Sequence, residues 1–138
     1  MDIRYPAIIE PQESGGFFVQ FVDLEDTFTE GETYEEALFN AAEALSAMMG
    51  WRVDGNRTIP EPSQGVEGAV YVAPDAKTQA ALLVRHARGV RPLSEVARAL
   101  ETSWPAAKRL EDPRHYPTLK QLERAAAALG KRLVLTFE

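Results

Sequence analysis

The chain has 138 residues, 45% of them apolar and 26% charged, with no cysteine and a net charge of −6; this bounds it to one globular domain or two small ones. The missing cysteines exclude disulfides, thiolate catalysis and cysteine metal sites. The opening MDIRYPAIIE carries a charge at Asp2, and no run approaches the ~20 apolar residues that span a bilayer, so a cytoplasmic protein without a leader is expected.

The overall charge conceals a split. Residues 1–75 hold 3 Lys/Arg against 15 Asp/Glu, a net −12, and residues 76–138 hold 12 against 6, a net +6. Such a division points to two surfaces with two kinds of partner. The basic half suits nucleic acid, whereas the acidic half repels it and attracts a basic protein. The plainer alternative is two solvated faces.

In chain order, IRYPAIIE (3–10) alternates as a strand, and Pro6 predicts an edge position or a bulge there. PQESGG turns the chain, and FFVQFV (17–22) returns as the second arm of a hairpin. DTFTEG (26–31) gives a short third strand. Thr33 and Glu36 have capping-box spacing. The apolar stripe Ala37, Leu38, Ala41, Ala42, Leu45, Met48, Met49 predicts a helix that ends at Gly50. Residues 50–68 read as a long loop, AVYVA (69–73) as a strand, and Pro74–Asp75 as the boundary, giving domains 1–74 and 75–138.

The second half reads as helical: 76–88 stopped by Gly89, a helix started by Pro92, WPAAKRLE (104–111), and 119–129 with a Thr118–Gln121 capping box and Gly130 as C-cap. KRLVLTFE closes as a strand. Each half of ~65 residues buries only about 60% of its unfolded surface, so an oligomer or a constant partner is expected.

Within this half, PLSEVARALETSWPAAKRLEDP has the spacing of a helix-turn-helix. Val96, Ala97 and Leu100 line one short helix, and Ala107 and Leu110 hold the next against it. The second helix then presents Ser103, Trp104, Ala106, Lys108 and Arg109 outward, where a recognition helix meets bases. Arg114 and His115 follow in a loop suited to phosphate. Trp104 fits either a thymine methyl or packing on the scaffold. A four-helix bundle without a DNA role shares the spacing. ARALETSWPAAKRLEDPRHYPTLKQLERAAAALG resembles the Xre/Cro-repressor type of helix-turn-helix. It departs at Glu101 and Pro113, where that type usually carries Gly. Leu133, Leu135 and Phe137 of the last strand fit a two-fold interface with a second copy or a strand folded back on its own domain. The two-fold arrangement would set two recognition helices about one DNA turn apart.

Residues 23–37, DLEDTFTEGETYEEA, contain seven acids, a pattern that could serve a metal site, a catalytic site or an acidic face for another protein. An EF-hand with Gly31 at its sixth position puts Phe28 at the third and Ala37 at the twelfth, so it fails. A two-metal nuclease needs carboxylates from several elements, whereas these come from one segment, and Glu35 and Glu36 complement the start of a helix. Ser14, Ser46 and Ser63 have no histidine nearby in sequence, since His86 and His115 lie in the other half. An acidic face for a protein partner remains, with no cofactor and no enzymatic activity expected.

YPAIIEPQESGGFFVQFVDLEDTFTEGETYEEALFNAAEAL resembles the N-terminal domain of HicB-type antitoxins, and IPEPS further on adds to it; Val22 stands where the family often has Pro. The resemblance implies an α+β fold: a partial RNase H-like sheet with a flanking helix, lacking the nuclease carboxylates, followed by the helix-turn-helix domain with its terminal strand. It implies a small basic HicA-type ribonuclease toxin as partner, occluded by the first domain, and repression of the chain's own operon through operator DNA. Asp23, Glu25, Asp26, Glu30 and Glu32 are the acids placed to compete with phosphate for the toxin's cations. A ligand-sensing transcription regulator and an RNase H-like enzyme with a DNA-targeting tail are the competing readings.

Overall fold

The computed structural model describes all 138 residues, and the fold is α+β. The chain divides into two compact units, Met1–Ala76 and Lys77–Glu138. The first holds β1 (Tyr5–Pro11), β2 (Phe17–Phe21), β3 (Phe28–Gly31), helix α1 (Tyr34–Asp54) and β4 (Val70–Val72). The strands form one antiparallel sheet in the order β3-β2-β1-β4. Helix α2 begins at Ala76 and runs to Arg88; α3 (Leu93–Ala99), α4 (Trp104–Arg109) and α5 (Leu119–Ala128) complete the second unit.

Strand alternation follows the expected apolar face: Val19 and Phe21 are buried, and Tyr5 and Ala7 of β1 are fully so. Pro6 departs from expectation, because β1 is an inner strand, paired with β2 and β4. The Pro6 carbonyl accepts from Val22 N at 3.0 Å, so its backbone faces β2. The last residue pair on that side is Ala7 with Phe21. The donor that proline lacks would have met Val22, just past the end of β2, so only a terminal bond of the ladder is lost.

Helix α1 covers the sheet with Ala37, Ala41, Leu45 and Met49, all fully buried at four-residue spacing. Half of its expected capping box forms: Thr33 Oγ1 accepts from Glu36 N at 3.1 Å. The helix passes through Gly50 and ends four residues later, correcting the expected stop. A glycine inside a helix costs about 1 kcal/mol relative to alanine, and the terminating bonds lie further on. Asn56 N donates to Val53 O and Arg57 N to Arg52 O, with Asn56 in the left-handed region at φ 49°. That is the Schellman pattern. Arg57 reinforces it, stacking 3.6 Å from the Trp51 ring centroid and donating Nη1 to Trp51 O.

The loop after α1 is pinned to the sheet. Tyr5 Oη donates to Pro60 O at 2.7 Å, Tyr71 Oη donates to Ser63 O at 2.8 Å, and both oxygens of Asp23 accept from Ser63, one from its N–H at 2.8 Å and one from its hydroxyl at 2.5 Å. Burial, then the neighbouring carboxylates Glu61, Asp23 and Asp2, push the Tyr5 phenol up to about 12. In the unfolded chain it titrates near 10. The neutral phenol is the native form, so this contribution to stability is full below pH 10 and is lost as pH rises from 10 to about 12. Tyr5→Phe is expected to cost about 1 kcal/mol at pH 7 and to lose stability less steeply than the parent above pH 10. Urea midpoints measured from pH 7 to 11.5 check this.

The second unit packs Val84, Val96, Ala97, Leu100, Ala107, Leu110, Ala125 and Leu129 into one core. Both sides of the Thr118–Gln121 capping box form. Helices α3 and α5 close in the same Schellman pattern as α1. Thr102 N donates to Ala97 O and Glu101 N to Arg98 O after α3; Lys131 N donates to Ala126 O and Gly130 N to Ala127 O after α5. The left-handed residue is Gly130 at φ 72° in one case and Glu101 at φ 52° in the other. A side chain at that conformation costs on the order of 1 kcal/mol. Glu101→Gly is expected to stabilise the unit by about 0.5 kcal/mol, the relief of strain being partly offset by the freer unfolded chain. A rise in thermal midpoint of one to a few degrees would be the calorimetric signature.

Residues 131–138 form no strand, correcting the expected terminal one. A strand requires a ladder partner, and the other elements of this unit are helices. Leu133 is half-buried, while Val134, Leu135 and Phe137 lie exposed.

Candidate functional site

The acidic segment leaves β2, loops through residues 22–27 and returns as β3. One side chain organises the loop: Gln20 Nε2 faces the carbonyls of Phe21, Leu24, Glu25 and Thr27 at 3.0–3.3 Å. Leu24 and Thr27 are buried beneath it. The five candidate acids then separate into different environments. Asp23 is occupied by Ser63 and clips the 55–69 loop to the sheet. Asp26 accepts from Thr27 Oγ1 and pairs with Arg52 Nη2 at 3.6 Å, half-exposed. Glu30 is exposed and accepts from Gln12 Nε2 at 3.1 Å, while its carbonyl caps Asn40 Nδ2 at 2.8 Å. Glu25 and Glu32 are exposed. No three carboxylates or histidines of the chain gather into a set that would hold a metal ion.

Aromatic groups stand among these acids. Phe18 and Phe28 point from the face opposite buried Val19 and Phe21, with ring centroids 6.1 Å apart. A shallow groove of about 250 Å³ runs between the start of β3 and the second half of α1, lined by Asp26, Thr27, Phe28, Ala44, Ala47, Met48 and Trp51. These aromatic groups are not among the site residues expected from the sequence. The outward phase of the strand alternation marks Phe18 and Phe28; Trp51 was hidden by ending the helix at Gly50.

In the second unit, α3 and α4 are joined by residues 100–103, and the small buried residues Ala97 and Ala107 belong to their shared core. Ser103 caps α4, its Oγ accepting from Ala106 N at 3.2 Å, so that hydroxyl has a structural task. Trp104 is about half exposed, and Lys108 Nζ sits 5.1 Å from its ring centroid. Lys108 and Arg109 are exposed, Ala106 is half-buried. Arg114 is exposed and its Nε lies 3.4 Å from Asp112; His115 is half-buried in the same turn. Beneath this surface Glu111 is buried and gripped at both oxygens by Arg88, at 2.6 and 3.0 Å. The Arg88 guanidinium also donates to Arg91 O at 2.8 Å. The hydrogen bonds to Glu111 hold the Arg88 pKa above its ordinary value.

Residues 4–80 match the family model of the HicB-like antitoxin of bacterial toxin–antitoxin systems. The chain belongs to the HicB-like antitoxin family. It is 32% identical to Antitoxin HicB 1 of Photorhabdus laumondii over 139 residues, covering 99% of this chain and 88% of the relative. Antitoxin HicB of Escherichia coli K12 is 30% identical over 137 residues, 98% of this chain and 99% of the relative. Antitoxin HicB of Pseudomonas fluorescens is 31% identical over 132 residues, 92% and 89% respectively. The family model ends within α2, while these relatives align across both units. No helix is long and apolar enough to cross a membrane.

Proposed function

We propose that the chain is a two-part antitoxin. Its first unit binds a small basic ribonuclease toxin of the HicA type and covers the toxin's active site. Its second unit binds operator DNA and represses the operon that encodes it. The observation that carries this reading is the similarity to antitoxins along 98–99% of the chain, in a chain whose acidic residues crowd one unit and basic residues the other. Inhibition is by occlusion: Glu25, Asp26, Glu30 and Glu32 occupy cations that would otherwise hold RNA phosphates. No catalytic step by this chain is involved.

In the second unit, α3 and α4 act as the helix-turn-helix. The exposed face of α4 carries Trp104, Lys108 and Arg109 to the major groove, and Arg114 and His115 meet the backbone. Ser103 contributes by fixing the start of α4 and Ala106 by allowing close approach. Leu133, Leu135 and Phe137 gain their ladder from the same segment of a second copy, which makes a dimer for a two-fold operator. Asp23 acts within the fold, through Ser63.

Native mass spectrometry of the chain expressed from its own operon tests the first part. A small basic protein that copurifies and leaves only in denaturant supports it; a bare homo-oligomer overturns it. Operator titration tests the second. With about four phosphates contacted per copy, log affinity should fall against log salt with a slope of about −3.6 per copy. A slope near zero would remove the DNA-binding assignment.

A further inference from the structure

We infer that the rim of β3 anchors the basic protein partner through its aromatic groups: Phe18, Phe28 and Trp51 bind its apolar side chains, and the surrounding acids guide it in. This deepens the antitoxin reading and rests on it. The observation is a continuous surface on both sides of one edge strand. On the open sheet face, Phe18 is 39% and Phe28 58% exposed. Around the edge, Phe28 also lines the groove that Met48 and Trp51 close from α1, and Trp51 is 49% exposed. The groove, at about 250 Å³, suits one or two side chains rather than a small-molecule ligand. Contiguous exposed aromatic surface rimmed by charge marks a protein contact.

Charge identifies the occupant. In the strand register, Phe18 lies between Glu10 on β1 and Glu30 on β3, and Asp26 lines the groove. The two nearby cations are already engaged at this surface, Arg52 with Asp26 and Thr58 O, and Arg57 with the Trp51 ring and carbonyl, and the acids of this unit outnumber its cations by 15 to 3 over residues 1–75. A second copy would bring the same acids against themselves. Nucleic acid would be repelled. A basic protein presenting apolar side chains between Lys and Arg fits both features. Aromatic anchors in desolvated pockets carry most binding energy, while rim charges act chiefly on the rate of association.

The experiment uses the full chain and, as probe, the small basic protein that copurifies from its operon, with association and dissociation rates measured at two salt concentrations. Phe28→Ala and Trp51→Ala should each raise the dissociation constant about 30- to 100-fold, mostly through faster dissociation. Asp26→Asn and Glu30→Gln should slow association several-fold at low salt and leave dissociation nearly unchanged. Phe39→Ala, at an exposed α1 position that does not line the groove, should bind as the parent does. In a Trp104→Phe background, which leaves Trp51 as the sole tryptophan, probe binding should shift the emission. Tight binding that survives Phe28→Ala and Trp51→Ala would overturn the anchor while leaving the antitoxin reading intact. Self-association abolished by Phe28→Ala would assign the surface to a second copy instead. Absence of any basic copurifying protein would overturn both readings.

Discussion

Gly31→Ala is expected to destabilise the N-terminal unit by roughly 3 kcal/mol, the upper end of the usual cost of overpacking. Gly31 is buried at the end of β3, where α1 begins three residues later. A Cβ there would overlap the backbone nitrogen of Ala37 and stand 2.8 Å from both the Ala37 Cα and the Glu36 carbonyl carbon. These are backbone atoms, so no side chain can swing aside. The first turn of α1 would have to move away from β3. Ala37 is itself fully buried, and the buried stripe continues through Ala41, Leu45 and Met49, so the displacement would open the core along the helix. It would also stretch the 2.8 Å bond from Asn40 Nδ2 to Glu30 O. Urea unfolding measures the loss. Gly15→Ala is the control: Gly15 has a positive φ, which Gly31 does not, and a Cβ there meets nothing within 4 Å, so it should lose only the ~1 kcal/mol of left-handed strain. Equal losses at the two positions would show that the approach of α1 to Gly31 costs no more than left-handed strain alone, and that the helix yields to the added methyl group.

Gly31 also illustrates what the sequence made legible. The strand–turn–helix order was readable because the alternation of Phe17, Val19 and Phe21 and the four-residue stripe from Ala37 to Met49 are strong periodic signals. The departure of Glu101 from the expected glycine was readable too, and its φ of 52° explains why glycine is usual there. Ends of elements were less legible. Gly50 looked like a helix stop, but a stop is made by bonds to the last carbonyls, and those come from residues 55–57. Pro6 looks like an edge residue, but an inner strand tolerates a proline where the missing bond is the last of a ladder. The terminal segment alternates like a strand, but alternation does not supply a ladder partner. Within the candidate site, composition marked the acidic segment as a whole. It did not distinguish Asp23, tied to Ser63 forty positions away, from Glu25 and Glu32 in solvent. Such long-range pairing leaves no trace in local periodicity.

The same limit applies to Glu111, and it leads to the second large effect. In sequence it is one more charge beside Lys108 and Arg109; in the structure it is 7% exposed and held by Arg88 across 23 residues. Arg88→Met is expected to cost the second unit about 3 kcal/mol. The loss of Coulomb attraction is the smaller part. The larger part is that Glu111 would stay buried without its two donors, a penalty that for buried pairs reaches roughly 3–5 kcal/mol. Arg88 is about one-fifth exposed in its side chain, so water can partly replace it, which places the expectation at the low end. The carbonyl of Arg91 would lose its 2.8 Å partner as well. Adding Glu111→Leu to Arg88→Met should restore most of the stability, because it removes the stranded carboxylate and fills the space with apolar atoms. The double-variant cycle, read by denaturant unfolding, thereby separates two roles. Recovery in the double variant would mean that the pair fixes geometry at little net gain in energy. Failure to recover would mean that the bidentate contact itself stabilises the junction of α2 with the end of α4. That junction lies beside the end of α4, which carries Arg109, and the turn that carries Arg114, so operator affinity measured on the folded double variant would test whether the proposed DNA contacts depend on it.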